Sequence, residues 1–337
     1  MKHSQRSITL ITIMLAGLAM TANAIAPAVS AASAPSTAKA AVSCRVTATI
    51  PVGTAPIAVA ANRKTGIIYV ANINSNTVSV ISGRTNTVVA TIPVGTFPRG
   101  VAVNQKTNTI YVTNEHDGTV SVISGRTNTV MATIPVGKGP FGLAANRKTN
   151  TVYVANHVIG TVSVISGRTN TVVATIPVGN LPFGVAVNQK TNTVYVTNEG
   201  DNTVSVISGR TNTVVATIGP PVGAEGIAAN PKTNTIYVAN YGGTVSVISG
   251  RTNTVVATIR AGSGTIEIAV NPKTNTIYAA NLFSDTVSVI SGRANTVVAT
   301  VPVGSGPSGV AANPKTNTVY LANLSSNTVS VLSCQRR

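Results

Sequence analysis

The acidic and histidine side chains of this 337-residue chain are few, and they are the first candidates for chemistry. Glu115, His116 and Asp117 are consecutive, and His157 lies further along the chain. Carboxylates and imidazoles bind transition metals, but metal sites also need a characteristic spacing of their ligands. No such spacing links these four residues, so neither a metal nor another cofactor is predicted.

Two further carboxylates, Glu225 and Glu267, form a candidate acid–base pair. Paired carboxylates serve as general acid and general base when both reach one reacting group. The sequence holds no serine nucleophile elbow and no phosphate-binding P-loop. It therefore favours a non-enzymatic protein and leaves catalysis by the carboxylate pair as an alternative.

The elements that position these residues are set by an internal repeat of about 42 residues. A tyrosine followed three residues later by asparagine marks each unit: Tyr69, Tyr111, Tyr153, Tyr195, Tyr237, Tyr278 and Tyr320 with Asn72, Asn114, Asn156, Asn198, Asn240, Asn281 and Asn323. Each unit holds four short runs rich in Val, Ile, Thr and Tyr, separated by Gly, Asn, Pro and Ser. In one unit the predicted strands A to D are residues 100–104, 109–114, 119–124 and 129–134.

Four strands in about 42 residues is the size of one propeller blade, so the fold is predicted to be an all-β, seven-bladed β-propeller. The repeated tyrosines are expected to pack between blades. The repeated asparagines are expected to cap the turn between strands B and C through their side chains.

The two cysteines and the chain ends predict how the ring closes. Seven copies of strands A to C are followed by only six D strands, and residues 43–53 match the missing one. Cys334 falls where Gly83 stands in an ordinary unit, and Cys44 where Asn86 stands. Paired positions at a hairpin end have Cα atoms about 5.5 Å apart, which suits a disulfide. A Cys44–Cys334 bridge is predicted, with a stabilisation of about 4–5 kcal/mol.

The N-terminal residues have the features of a secretory signal peptide. Lys2 and Arg6 flank His3, and an apolar run from residue 8 to residue 20 follows. Small residues allow cleavage after residue 24 or as late as residue 31, and residues 25–42 form an Ala-, Ser-, Pro- and Thr-rich leader. A membrane anchor is the alternative, although a span needs about 20 apolar residues. The propeller, residues 43–337, is therefore expected to be secreted, periplasmic or on the cell surface.

The repeats resemble a known family through their B strands. "YVTN" stands at residues 111–114 and 195–198, and the other units read YVAN, YAAN or YLAN. The array resembles the YVTN-repeat β-propeller family, which includes YncE-like exported proteins. The resemblance implies seven blades and an exported or surface location, and it implies little about activity. More distant propellers include lactonases and haem or copper oxidoreductases, but this chain has neither a C-x-x-C-H haem motif nor a histidine cluster for copper.

In a propeller the A–B and C–D turns lie on one face, here called the bottom face. Each unit repeats the same cations there: Lys64, Lys106, Lys148, Lys190, Lys232, Lys273 and Lys315 in the A–B turns, and Arg84, Arg126, Arg168, Arg210, Arg251 and Arg293 in the C–D turns. The whole chain carries a formal charge of +17. Such rings would attract an anionic cell-wall polymer or nucleic acid, although export argues against nucleic acid. The alternative is a solvated rim that keeps the blade edges soluble.

The opposite face, here called the top face, carries the B–C loops and the D–A links, and it holds the residues that differ between units. The position just before strand A is the most variable one, reading Ile57, Arg99, Phe141, Phe183, Glu225, Ile266 and Ser308. The candidate ligand-binding residues on this face are Arg99, Glu115, His116, Asp117, Phe141, His157, Phe183, Glu199, Asp201, Glu225, Tyr241, Glu267 and Phe283. Loops on a rigid scaffold commonly supply specificity, whereas drift in tolerant loops is the alternative.

The sequence as a whole predicts an exported monomer that acts as a non-enzymatic binding or scaffold protein at the cell envelope or outside the cell. Its ligand is unknown, and the top face is expected to recognise it. The first alternative is a lactonase- or lyase-like enzyme with a site at the pore mouth. The second alternative is a polyanion or nucleic-acid binder that uses the rings of Lys and Arg.

Overall fold

The computed structural model describes residues 42–219 and 222–336, and within them it contains seven four-stranded antiparallel sheets. Each sheet is one blade, so the predicted seven-bladed β-propeller is confirmed. The described residues contain one helical element, a 3-10 turn at His157–Ile159. No helix among them is long and apolar enough to span a bilayer. The predicted signal peptide and the leader up to residue 41 lie outside the described residues.

The strands follow the repeat. Blades 1 to 4 consist of β2 Pro56–Asn62, β3 Ile67–Asn72, β4 Thr77–Ser82 and β5 Thr87–Pro93; β6 Pro98–Asn104, β7 Thr109–Asn114, β8 Thr119–Ser124 and β9 Thr129–Pro135; β10 Pro140–Asn146, β11 Thr151–Asn156, β12 Thr161–Ser166 and β13 Thr171–Pro177; β14 Pro182–Asn188, β15 Thr193–Asn198, β16 Thr203–Ser208 and β17 Thr213–Ile218. Blades 5 to 7 consist of β18 Ala224–Asn230, β19 Thr235–Asn240, β20 Thr244–Ser249 and β21 Thr254–Arg260; β22 Thr265–Asn271, β23 Thr276–Asn281, β24 Thr286–Ser291 and β25 Thr296–Pro302; β26 Pro307–Asn313, β27 Thr318–Asn323 and β28 Thr328–Arg336, with β1 Val42–Pro51 as the fourth strand.

The inner strands begin earlier than the sequence predicted. Strand β6 starts at Pro98, two residues before the predicted start, because proline is tolerated at the first position of a strand. The pairing of β6 with β7 shifts register between Pro98 and Val101. The variable residue Arg99 therefore lies within the strand, in a bulge, and not before it. Bulges re-aim side chains and are common beside functional sites.

The N-terminal strand closes the ring as predicted. Strand β1 pairs antiparallel with β28, and Cys44 lies directly opposite Cys334. The two cysteines form a disulfide with their Cα atoms 4.1 Å apart. This separation is shorter than the predicted one and is closer to the value of about 4.5 Å for a pair without mutual backbone hydrogen bonds. The bridge thus stands where the other blades have a C–D turn.

The repeated tyrosines pack between blades. Tyr111 is fully buried and packs against Leu143, Val152 and Val154 of the next blade. Its hydroxyl lies 2.9 Å from the place where a Cβ on Gly167 would be, so the glycine in this C–D turn leaves room for the ring. The repeated asparagine that follows does not bond to the backbone of the B–C turn. The Asn114 amide donates instead to the hydroxyls of Thr119 and Ser121 on strand C, at 2.9 and 3.0 Å.

A second set of asparagines joins neighbouring blades at the bottom face. Asn62 is the last residue of strand β2, and its side-chain amide donates to the Asn108 side-chain oxygen in the next blade's A–B turn, at 2.7 Å. Six such bonds occur among the described residues: Asn62–Asn108, Asn104–Asn150, Asn146–Asn192, Asn188–Asn234, Asn230–Asn275 and Asn271–Asn317. We call this set the asparagine ladder. It fixes the bottom ends of the inner strands to each other.

Candidate binding site at the top pore mouth

The inner strands approach each other most closely where the variable residues lie. A Cβ on Gly100 would lie 2.6 Å from the Phe141 carbonyl oxygen, and one on Gly184 would lie 2.6 Å from the Glu225 carbonyl oxygen. Glycine is therefore required at these two positions, since a side chain would clash with backbone. The close approach holds the variable residues in a tight circle around the channel. We call the top end of the channel the top pore mouth.

Threonine in the two YVTN repeats fixes two of the variable residues. The Thr113 hydroxyl donates to the Phe141 carbonyl oxygen of the next blade and accepts from the Gly100 backbone N–H, both at 2.7 Å. The Thr197 hydroxyl donates to the Glu225 carbonyl oxygen at 2.5 Å. The YVAN repeats have alanine at this position. Alanine has no hydroxyl, so the YVAN repeats lack the hydrogen bond that the two YVTN repeats make to the next blade. The Thr-for-Ala change is visible in the sequence, but the bond between blades that it makes becomes apparent only in the structure.

One side of the top pore mouth is built around Arg99. Its Nε atom lies 2.6 Å from Oε2 of Glu115, and both side chains are buried, at 8% and 9% exposure. The guanidinium carbon also lies 4.6 Å from the centre of the Phe141 ring and 5.2 Å from that of Phe97. Such cation–π contacts stabilise a desolvated arginine. Arg99 is thus neutralised and covered, and it supports the rings above it.

The aromatic rings extend from Arg99 across two further blades. Phe141 stacks on His157 with centroids 4.4 Å apart and lies 5.2 Å from the Phe183 ring. Burial lowers the pKa of His157, and the Arg99 charge lowers it further, while the Pro182 carbonyl at 3.3 Å from Nδ1 and the Glu115 charge raise it. The imidazole is consequently neutral at physiological pH and behaves as an aromatic ring. Phe97, Arg99, His116, Phe141, His157 and Phe183 form what we call the aromatic cluster.

The three consecutive residues that suggested a metal site have three different partners. Glu115 binds Arg99, His116 stacks on Phe97 with centroids 4.2 Å apart, and Asp117 accepts the Thr96 backbone N–H at 2.6 Å. Among the described residues no three His, Cys, Asp or Glu side chains are grouped closely enough to hold a metal ion. The loop therefore braces the top face in this structure.

The other side of the top pore mouth is acidic. Burial raises the pKa of Glu225 well above its usual range, and the charges of Glu199 and Glu267 raise it further. Burial also raises the pKa of Glu199. It raises the pKa of Glu267 to about 7, although the hydrogen bond donated by the Ile268 backbone N–H acts to lower it. These three residues and Tyr241, whose pKa is raised by burial and by the charges of Glu225 and Glu199, form what we call the acidic cluster.

Two further candidates lie at the edge of the top face. Asp201 is exposed and accepts the Asn180 backbone N–H at 2.6 Å, which makes it the counterpart of Asp117 two blades away. Phe283 is 46% exposed, and its ring meets that of Tyr241 edge-on at 5.6 Å. The structure therefore brings most of the predicted residues into the aromatic and acidic clusters, with His116 at the exposed edge of the aromatic cluster, and it leaves Asp117, Asp201 and Phe283 outside them at the surface.

At the bottom face all thirteen predicted Lys and Arg side chains are exposed. The sequence interpretation nevertheless missed one variable position there, the residue just before each lysine. It reads Arg63, Gln105, Arg147, Gln189, Pro231, Pro272 and Pro314 around the ring. Arg63 lines the bottom end of the channel. Its deviation from the repeat was visible in the sequence, but its position beside the channel required the structure.

Comparison with known proteins supports the fold and no more. No protein-family profile and no curated protein matches this sequence. A solved chain of Kuenenia stuttgartiensis hydrazine synthase is similar in structure, with a TM-score of 0.76 and 20% sequence identity. The match covers 85% of this chain and 97% of that chain. At this identity the likeness shows the β-propeller fold alone, and the resemblance to the YVTN-repeat family stays a prediction.

Proposed function

We propose that this protein is a non-enzymatic binding protein of the cell envelope or the extracellular space, and that its top pore mouth recognises a ligand with a cationic group. The acidic cluster carries this proposal. Glu199, Glu225 and Glu267 are half-buried, and within the described part of the chain none of them has an ion pair, since that of Arg99 with Glu115 is the one ion pair there. A cation would offset the desolvation that raises the pKa values of all three carboxyls and the repulsion that further raises that of Glu225.

The aromatic cluster suits the remainder of such a ligand. The Phe183 ring is half-buried beside the buried Phe141 ring, so it presents an apolar surface at the channel. Ligand sites commonly combine an apolar wall with a few convergent polar groups. The Cys44–Cys334 disulfide supports the proposed location, because structural disulfides persist in oxidising compartments outside the cytoplasm.

Retention of the protein on isolated envelopes of the source organism tests this function. The comparison is between Glu225→Gln, which fixes the neutral form of the carboxyl, and Lys190→Gln, which changes one exposed charge on the bottom face. We expect Glu225→Gln to reduce retention about tenfold, the loss of one charged contact, and Lys190→Gln to leave it within about twofold. Equal losses in the two variants, or no retention of the wild type, would contradict the proposal.

The pH dependence of retention provides a second readout. A protonated carboxyl does not attract a cation, so cation binding must displace protons from the acidic cluster. Because the pKa of Glu267 is about 7, retention should rise as the pH rises through that value. Retention that falls over the same range would point to a ligand attracted by the bottom face.

An enzyme is the second candidate because of the same pKa. A carboxyl with a pKa of about 7 is suited to general acid–base catalysis at neutral pH. Glu267 also lies close to blade 5, since its Oε1 atom would be 2.7 Å from a Cβ on Gly226. Hydrolysis of simple lactones by the wild type, abolished in Glu267→Ala and Glu225→Ala, would favour a lactonase-like enzyme over the binding protein.

The exposed cations of the bottom face add a proposal about docking. Thirteen Lys and Arg side chains, all exposed, would hold the bottom face against an anionic cell-wall polymer. Such contacts are screened by salt over about 8–10 Å at physiological ionic strength. We expect polymer binding to collapse by a few tenths molar salt, whereas binding at the half-buried acidic cluster is screened less.

A further inference from the structure

The bottom end of the central channel contains a cavity of about 260 Å³. Its walls come from five blades, and the lining side chains other than that of Arg63 are alanine and valine, with Ala61, Val103, Ala229, Val270 and Ala312 among them. One water occupies about 30 Å³, so the cavity has room for several waters or for one small polyatomic ion. The single charged side chain in its lining is that of Arg63.

The positive charge at this place has no counter-ion among the described residues. Burial lowers the pKa of Arg63, and the nearby cation of Arg147 lowers it further. The described acids all belong to the top face, and the one ion pair within the described ranges is that of Arg99 with Glu115. Burial of Arg63 and the nearby charge of Arg147 both disfavour the guanidinium cation, and a bound anion would offset both costs.

The two arginines also break the uniformity of the bottom face. The residue before the repeated lysine is Arg or Gln in blades 1 to 4 and Pro in blades 5 to 7. The Gln189 side-chain amide donates to the Ala145 carbonyl at 3.4 Å, so it bonds to the neighbouring blade. The long donor side chains are thus confined to one arc of the channel rim, with Arg63 and Arg147 as its charged members.

We propose that the bottom end of the channel binds a small oxyanion of the phosphate type through Arg63, with the exposed Arg147 adding a second positive charge nearby. The guanidinium group presents a planar fork of N–H donors that matches two oxygens of one phosphate, and a dianion neutralises both cations. The exposed Lys and Arg rings around the opening raise the local concentration of anions. The site lies at the opposite end of the inner strands from the top pore mouth, about 20 Å away for a seven-residue strand. It therefore goes beyond the proposed function and does not depend on it.

Calorimetric titration of the full chain with inorganic phosphate at constant ionic strength tests the site. Arg63→Gln gives blade 1 the residue of blades 2 and 4, and Arg84→Gln is the matched control because it removes one exposed bottom-face charge. We expect Arg63→Gln to weaken phosphate binding about tenfold or more and Arg84→Gln to change it by less than about twofold. Arg147→Gln, at an exposed position, should give an intermediate loss.

Thermal unfolding separates this site from general charge attraction. Without ligand, Arg63→Gln should melt at or above the wild-type temperature, because it removes the repulsion between two cations. Phosphate should raise the melting temperature of the wild type and of Arg84→Gln by similar amounts, and it should raise that of Arg63→Gln less. Equal phosphate effects in all three proteins, equal affinity for acetate and phosphate, or no phosphate binding by the wild type would overturn the proposal.

Discussion

At the top end of the channel the second residue of the inner strand varies between blades, whereas at the bottom end the inner strands finish with the same residue in all seven. The bottom residues are Asn62, Asn104, Asn146, Asn188, Asn230, Asn271 and Asn313, and every one is buried. The two ends belong to the same inner strands and therefore to the same repeat units. The difference between them therefore reflects what each end must do.

The bottom end is uniform for a structural reason. The Asn62 side-chain oxygen accepts the Lys64 backbone N–H at 3.0 Å, and its amide donates to Asn108 in the next blade. Asn108 itself has φ 55°, a left-handed conformation that asparagine tolerates better than most residues. Each asparagine thus serves two blades, and exchange at one position disturbs both.

The top end has no such ladder, and its variable residues contact one another in pairs and clusters. Variation alone does not show binding there, because the bottom face could not have varied in the same way. Binding at the top end is supported by the chemistry of the variable residues, since the Glu225 and Glu267 carboxyls are half-buried and have no ion pair among the described residues. The following predictions separate a structural bottom end from a binding top end.

The disulfide at the bottom of blade 7 should give the largest effect. Replacing both cysteines, Cys44→Ser with Cys334→Ser, should lower the free energy of unfolding by up to about 5 kcal/mol, because the bridge closes nearly the whole chain into a loop. Equilibrium urea unfolding of the oxidised wild type and the double variant measures the difference. Reduced wild type is the control and should match the variant. Equal urea midpoints for the oxidised wild type and the variant, or two free thiols in a non-reducing peptide map, would contradict the stabilising role of the disulfide.

The asparagine ladder should give the next largest effect. Asn150→Ala leaves the buried Asn104 amide without its acceptor at 2.6 Å and puts alanine at φ 57°. The expected loss is about 2–5 kcal/mol, the sum of an unmade hydrogen bond and a left-handed residue. Asn150→Gly should lose only the first contribution.

The matched variant on the top face is Asp201→Ala, which removes an exposed loop brace. Its expected cost is within about 1 kcal/mol, as for most surface substitutions. A comparable loss at both faces in urea unfolding would show that the top loops are as structurally constrained as the bottom turns, and the comparison between the two ends would fail.

The acidic cluster should make stability depend on pH. The folded pKa of Glu267, about 7, exceeds its ordinary value of 4.5, so the folded protein binds a proton more tightly than the unfolded chain. Stability is therefore highest below about pH 4.5 and declines as the pH rises through 7, by about 3 kcal/mol for this group. Unfolding of the wild type and Glu267→Gln between those values should show a shallower decline in the variant; identical slopes would contradict the burial of this carboxyl.

The exposed lysines of the bottom face should give the smallest effect. Only the backbone N–H of Lys190 is held, by the Asn188 side-chain oxygen at 3.0 Å, while its side chain is exposed. Lys190→Gln should change the free energy of unfolding by less than about 0.5 kcal/mol. A larger loss by the same urea measurement would show that the lysine ring, and not only the asparagine ladder, supports the bottom face.

The fold was largely predictable from sequence because each strand repeats seven times with the same turn residues. The bounds of strands B and C, the closure by residues 43–53 and the Cys44–Cys334 bridge all follow from aligning the repeat with itself. The start of strand β6 at Pro98 was not predicted, since proline in a variable link looks like a loop residue. Its pairing partner, Asn114, becomes apparent only in three dimensions.

The interactions between blades were the part that sequence could not give. The Asn104–Asn150 bond joins residues 46 positions apart, and each of them separately has the sequence of an ordinary turn. The Thr113 hydroxyl reaches a carbonyl 28 positions away, and the charge of Arg147 lowers the pKa of Arg63, which lies two blades away. A repeat pattern gives the path of one blade, whereas these contacts depend on the angle between neighbouring blades.

Hydrogen–deuterium exchange of the full chain, with and without a solubilised envelope fraction, tests the central claim most directly. We predict that the envelope fraction slows exchange in the B–C loops and inner-strand starts of blades 2 to 6, around Glu115, Phe183 and Tyr241. Exchange in the A–B turns should not change. The Glu225→Gln variant should show no such protection. Protection confined to the lysine-bearing A–B turns, or protection that persists in Glu225→Gln, would contradict the assignment of binding to the top pore mouth.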